Sequence, residues 1–373
     1  MGTARHIFSL LLLVGVRVGV GVCVGVGVIA SVGCVHSYRS EAPLSFDEIS
    51  YVGTASTAVQ TYRVELEDAP SRYGMTNALG ISYVDLNPSG DPTVVFVHGL
   101  GAYAKWWRYQ FDAFAAAGYH VVALDLPGHG GSDKPASFPY TAEAMGDVVV
   151  ELLDRMGIRD PILIGHSMGG QVLLSLAIRF PTLARALVLT SPAGFEPYSE
   201  RERAWFRSAY SVRLMEDASE YAVWRTYRYL SFNQWTDAFA WIIEERMRLS
   251  KSVGPFQQHL YAIIKSIWGL SQTDFVRENL GQIRAPTLII YGEADRLIPN
   301  PYLHGGSTGA IMAYGHAHIP LSVLTPLADC GHAVQIDCSS RYNATVLAWL
   351  ASARSRGSLR KGDSAIGSPG TAR

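Results

Sequence analysis

The chain has 373 residues, more than the ~250–300 at which one hydrophobic core usually stops growing, so it holds one large domain with insertions or two smaller ones. Hydrophobic residues make up 48% and charged residues 17%, which excludes a disordered chain. With 31 Lys+Arg against 32 Asp+Glu the formal charge is −1, so no overall basic field draws the protein onto nucleic acid or anionic lipid, and a charged partner would need a local patch.

Residues 1–35 read as a signal peptide or membrane anchor. Arg5 and His6 precede an apolar stretch, Arg17 interrupts it, and Val18–Val35 then runs without a charge, much of it as Gly-Val alternation; that order belongs to export segments. Ser31-Val32-Gly33-Cys34 is similar to a bacterial lipobox except that Ser31 stands where an aliphatic residue is usual, which makes Cys34 a candidate lipidation site. A cell-envelope location follows as the expectation: periplasmic, membrane-anchored or secreted. Residues 36–60 have mixed polarity and little periodicity and read as a linker.

Beyond it, short β-branched runs alternate with helical patterns, which argues for a mostly parallel sheet covered by helices. Strands are predicted at Thr93–Val97, His120–Leu124, Pro161–Ile164, Ala186–Leu189, Thr287–Tyr291 and Leu321–Leu327, with helices at Tyr103–Ala117, Thr141–Met156, Gly169–Phe180 and Tyr342–Leu350. The rhythm breaks over residues 196–282, where amphipathic helical stretches hold five of the eight tryptophans. This segment reads as a helical insertion, a cap, between two parts of one core at 61–195 and 283–352. Residues 353–373, rich in Ser, Gly and Arg, read as a disordered tail.

Gly165-His166-Ser167-Met168-Gly169 follows one predicted strand and opens a helix. In G-x-S-x-G the small flanking residues let the backbone turn sharply and lift the serine hydroxyl into the open. The helix amino terminus also offers unpaired N–H groups to an oxyanion. A serine needs a base to take its proton and an acid to hold that base. Asp295 lies in a loop just beyond the strand Thr287–Tyr291, and His332 lies beside Gly331 after the last predicted strand. Glu293 is the runner-up acid. His304, His316 and His318, in a Gly-rich stretch before the last strand, read as surface or structural.

The body from about Gly80 to Leu350 resembles the α/β-hydrolase fold family, in the capped serine-hydrolase branch. The chain order Ser167, Asp295, His332 matches that family, and Val97-His98-Gly99-Leu100-Gly101 resembles its oxyanion loop. The resemblance implies a mostly parallel eight-stranded sheet with a helical cap inserted after the sixth strand. It also implies that the N–H groups of Leu100 and Met168 hold an oxyanion, and that His98, Gly99, Gly165 and Gly169 shape the site. The Asp125–Asp133 segment resembles a loop that borders the site without doing chemistry. Asp295 and His332 are separated by more chain than is usual, with an extra stretch around Gly305–His318.

Four cysteines are too few for a disulfide scaffold and show no zinc-site spacing, so no metal is expected. A Cys330–Cys338 bridge flanking His332 is expected if the protein is exported, with two buried thiols as the alternative. The implied chemistry is acyl transfer without a cofactor on a medium-sized apolar ester. The alternatives are carbon–carbon bond hydrolysis of the meta-cleavage type, perhydrolase or haloperoxidase-like activity, and a non-enzymatic receptor on the same fold. Membrane attachment through the N-terminal segment is expected; nothing in the sequence sets the oligomeric state.

Overall fold

The computed structural model describes residues 37–51 and 59–355. The leader, Cys34 and residues 356–373 lie outside them. Among the described residues no helix is long and apolar enough to cross a membrane.

The elements run in chain order as β1 (Thr61–Leu66), α1 (Asp68–Arg72), β2 (Leu79–Leu86), β3 (Thr93–Val97), α2 (Arg108–Ala116), β4 (His120–Leu124), α3 (Ala142–Arg155), β5 (Ile162–His166), α4 (Met168–Arg179) and β6 (Ala186–Thr190). The insertion that follows is helical: α5 (Glu200–Ala209), α6 (Val212–Glu216), α7 (Glu220–Thr226), a π turn (Tyr227–Ser231), α8 (Trp241–Leu249), α9 (Val253–Ser271) and α10 (Phe275–Asn279). The core resumes with β7 (Thr287–Gly292), α11 (Thr308–His318), β8 (Ser322–Leu327), α12 (Val334–Asp337) and α13 (Ser339–Ser355).

The eight strands form one sheet in the order β1-β2-β4-β3-β5-β6-β7-β8. β2 is antiparallel to both its neighbours, and every later pairing is parallel. Parallel strands are buried on both faces and read as continuous apolar runs, and β5, β6 and β7 are buried along their whole length. Strand alternation divides their side chains between two layers. Val95, Val97, Leu163 and Ile289 pack with α3 and α4 residues such as Val148 and Leu173, whereas Val94, Phe96, Ile164 and Ile290 pack with Phe111 of α2 and Val346 of α13. Each such fully buried aliphatic side chain is worth about 1.5–3 kcal/mol.

The structure departs from the sequence-based expectation at four places. β1 pairs residue for residue with β2 from Thr61↔Val84 to Leu66↔Leu79, yet its burial is slight; an edge strand exposed on one face gives no apolar run to detect. The described residues within 36–60 are not simply a linker. Leu44, Phe46, Ile49, Tyr51 and Val59 are buried in the same layer as Phe96 and Trp107, and the Tyr51 hydroxyl donates to Asp125 Oδ2 at 2.6 Å. Their irregular spacing fits neither period because they cross the surface as a strap.

The Gly305–His318 stretch contains α11, the crossover that a parallel β7–β8 pair requires, capped by the Ser307 hydroxyl on Ala310 N–H at 3.3 Å. The final helix also runs past the expected tail boundary to Ser355, with Ala353 buried.

Candidate active site

Ser167 sits between β5 and α4 at φ 51° and ψ −115°, a region that costs a non-glycine residue about 1–3 kcal/mol unless its surroundings impose it. The surroundings do so. Ser167 N–H donates to Thr190 O at 3.0 Å, and its carbonyl accepts from Gln171 N–H at 3.2 Å and Ala193 N–H at 3.0 Å. The turn is therefore clamped to the end of β6 on one side and to its own helix on the other. A Cβ on Gly169 would lie 2.3 Å from Val97 O, and one on Gly99 would lie 2.8 Å from His166 Nδ1. Glycine at both positions lets the β3 loop close against the elbow. Gly165 packs against the backbone of Gly169 in the same turn.

His98 is fully buried and shapes that loop. Its Nε2 accepts from Leu126 N–H at 2.9 Å, so the proton lies on Nδ1, which donates to Gly99 O at 2.7 Å. Burial, then the neighbouring His129, hold its pKa well below the usual value, so the ring works as a neutral brace. Asp125 continues the brace: Oδ1 accepts from Ala104 N–H at 2.7 Å and Oδ2 from Gly131 N–H at 2.8 Å. Both loops on the β3/β4 side are thus tied to one buried carboxylate.

Asp295 follows β7. Its side chain is fully buried, Oδ1 accepts from the N–H groups of Leu297 at 2.7 Å and Ile298 at 3.2 Å, and Oδ2 accepts from His332 Nδ1 at 2.8 Å. Glu293, the runner-up, points to solvent. The turns carrying these residues are joined by Ala294 N–H on Cys330 O at 2.9 Å. Nδ1 carries the proton that Asp295 accepts, so in the neutral ring the lone pair lies on Nε2.

His166, the second residue of the serine motif, adds a contact that the sequence did not single out. Its Nε2 stands 3.1 Å from His332 O, so this nitrogen donates, and it fixes the His332 loop to the residue preceding Ser167. Burial, then His332, depress its pKa. Asp337 holds the same loop from the other side: Oδ2 accepts from Gly331 N–H at 2.6 Å and Asn233 N–H at 2.8 Å, tying it to the cap.

Ser167, Leu100 and Met168 line one cavity of about 200 Å³, whose walls include Phe206, Ile267, Leu270, Val276 and Leu297. Met168 is the first residue of α4, so its N–H belongs to the turn that lacks intrahelical acceptors. The ionisable residues of the wall are Glu196, Tyr198, Tyr210, Asp274 and Arg277. Asp274 pairs with Arg203 at 2.7 Å, and the Arg277 guanidinium lies 4.0 Å from the centroid of Tyr314.

Glu196 opens the cap and binds back to the loop carrying Asp295, accepting from Asn300 N–H at 2.7 Å. His304 bridges it to α5: its Nδ1 bonds Glu196 and its Nε2 lies 2.8 Å from Glu202 Oε1. Burial disfavours its charge, but the two carboxylates outweigh that and raise its pKa. A raised pKa stabilises the fold fully below the unfolded value of ~6.5 and loses that contribution as pH rises through the folded value. His304→Gln is therefore expected to lower the melting temperature most below about pH 6.5, the gap to wild type closing at higher pH. Thermal scans across that range check this, and a pH-independent gap would refute it.

Cys330 and Cys338 are bonded, with sulfurs 2.04 Å apart and a sequence separation of 8. Closing a loop this short constrains the unfolded chain by about 2.6 kcal/mol in the entropy model. Reduction with a phosphine is expected to lower stability by about that much; unchanged melting would argue against it.

A model of the alpha/beta hydrolase fold family matches residues 92–337, and the chain belongs to that family. It is 29% identical over 281 residues to the dihydrolipoyllysine-residue acetyltransferase component of the acetoin cleaving system of Cupriavidus necator, covering 74% of this chain and 69% of that protein. It is 28% identical over 302 residues to a 2-hydroxy-6-oxononadienedioate/2-hydroxy-6-oxononatrienedioate hydrolase of Burkholderia vietnamiensis, covering 77% and 98%. Among solved structures, a probable hydrolytic enzyme of Pseudomonas aeruginosa PAO1 superposes with a TM-score of 0.69 at 21% identity, over 83% of this chain and 98% of that one.

Proposed function

We propose that the protein is a serine hydrolase that cleaves carboxylic esters with apolar acyl or alcohol parts. The observation that carries this is the arrangement of the Asp295 carboxylate, which fixes the His332 ring through Nδ1 and leaves Nε2 as a base, on a loop bonded to the residue before the strained Ser167. Ser167 attacks the ester carbonyl while His332 Nε2 takes its proton, and Asp295 stabilises the imidazolium. The N–H groups of Leu100 and Met168 hold the tetrahedral oxyanion, each such donor being worth about 3 kcal/mol. His332 then protonates the departing alkoxide, and water, deprotonated by the same nitrogen, releases the acid from the acyl-enzyme.

The rival is hydrolysis of a carbon–carbon bond, weighed because the Burkholderia relative is a 2-hydroxy-6-oxononadienedioate/2-hydroxy-6-oxononatrienedioate hydrolase. That relative's substrates are dicarboxylates, which need cations in the cavity. Here the wall's Glu196 and Asp274 are paired with His304 and Arg203, and Arg277, set over the Tyr314 ring, is its one cation among the described residues, against the two carboxylates of such a substrate. A neutral ester meets apolar walls instead.

Fluorophosphonate labelling with Ser167→Ala as control, followed by nitrophenyl esters of increasing chain length, tests the proposal. Labelling that survives the substitution would sink it, and labelling without ester turnover, joined to turnover of a dienol diketone, would favour the rival. The uncharged run over residues 18–35 supports a cell-envelope location, which fractionation of the producing cell would test.

A further inference from the structure

Helix α7 and the π turn that follows it present a ladder of rings on the surface of the cap. Tyr221 is 66% exposed and Tyr229 51% exposed. Trp224 stacks on Tyr221, with centroids 6.0 Å apart, and meets Tyr229 edge-on at 6.1 Å. Arg228 lies over the Trp224 ring at 5.3 Å and near Tyr229 at 6.0 Å, and Arg225 is exposed beside them. Among the described residues neither arginine has a carboxylate partner. Tyrosine and tryptophan with arginine between them is the composition of side chains that sit at a lipid–water boundary, where one end of the ring is apolar and the other wet. A contiguous exposed patch of this kind marks an interaction site more often than a bare surface does.

The N-terminal strap begins at this same face. Tyr38 packs against the buried cluster of Val223, Ile243 and Met247, as Trp224 does, and its N–H donates to Glu220 Oε1 at 3.2 Å. Lys251 Nζ holds the strap by bonds to the carbonyls of Tyr38, Arg39 and Glu41. The run that precedes it carries no charge from Val18 to Val35, and only His36 and Ser37 separate it from Tyr38. At about 3.3–3.6 Å per extended residue, a bilayer that takes up this run must lie within roughly 10 Å of Tyr38 and so of α7.

We propose that the face carrying Tyr221, Trp224, Arg225, Arg228 and Tyr229 docks on an anionic lipid bilayer, next to the entry point of the N-terminal apolar segment. The rings enter the interface and the guanidinium groups meet lipid phosphates, which makes the contact depend on headgroup charge. This surface is independent of the ester chemistry proposed above.

The test uses the full chain reconstituted in phosphatidylglycerol or in phosphatidylcholine vesicles. Modification of each tyrosine by N-acetylimidazole is followed by peptide mass spectrometry, with Tyr62, 43% exposed on the edge strand, as internal control. Tyr221 and Tyr229 are expected to react at least about fivefold more slowly in phosphatidylglycerol than in phosphatidylcholine, with Tyr62 unchanged. Arg225→Glu with Arg228→Glu should return both rates to the phosphatidylcholine level while ester turnover in detergent stays the same. Arg225→Gln with Arg228→Gln gives the same readout with less disturbance of the fold. Equal rates in the two lipids, or an equal fall at Tyr62, would overturn the proposal. Protection that grows with protein concentration in the absence of vesicles would also overturn it, in favour of a second copy of the chain.

Discussion

Asp295→Asn is expected to lower kcat/KM for a nitrophenyl ester by about 10⁴, chiefly through kcat. The size follows from the bonding of the carboxylate. Oδ1 accepts two backbone N–H groups and Oδ2 accepts His332 Nδ1, so an asparagine keeps its carbonyl oxygen on the backbone donors and turns its amide nitrogen toward His332. That nitrogen donates, which forces Nδ1 to accept and moves the ring proton to Nε2. The ring is then held in the wrong tautomer, with no lone pair for the serine proton. Circular dichroism should be unchanged and the rate of fluorophosphonate labelling should fall in step with turnover. A loss below about tenfold would move the acid role to another carboxylate, Glu293 being the first to test.

Glu245→Ala is expected to destabilise the protein by roughly 3–5 kcal/mol in urea unfolding, because it leaves a buried cation without a partner. Glu245, on cap helix α8, bonds both Lys105 Nζ and the Tyr103 hydroxyl. Both side chains of the ion pair are less than 10% exposed. Tyr103 and Lys105 belong to the segment directly after the Val97–Gly101 loop, so the same carboxylate ties the cap to the candidate site. Lys105→Met combined with Glu245→Leu removes both charges and should recover most of the loss. Such recovery would identify the stranded charge, and not the missing volume, as the source of the instability. If the single and double substitutions cost the same, the pair contributes packing alone.

The parts of the molecule legible in the sequence are those whose physics is local. β5, β6 and β7 read as strands because a strand covered on both faces needs an unbroken apolar run. The serine turn was legible because a sharp strand-to-helix bend needs small residues at fixed offsets. The cap was legible as a loss of strand rhythm. The strap from Tyr38 to Tyr51 was not, because its burial depends on α8, α9 and Asp125, elements more than 70 residues away in the chain, and no period in its own residues records them. For the same reason His304, in a Gly-rich segment, gave no sign that it spans Glu196 and Glu202.

By itself the sequence determined the sheet's central strands, the position of the elbow and the chain order of Ser167, Asp295 and His332, since each depends on neighbouring residues and on the backbone they permit. Only the tertiary structure decided which carboxylate meets His332, how His166 and Asp337 hold the His332 loop, and which charges face the cavity. Those outcomes depend on which loops meet at the carboxyl ends of the strands. A loop's path there is set by packing and hydrogen bonds to distant elements, and its own residues leave that path open.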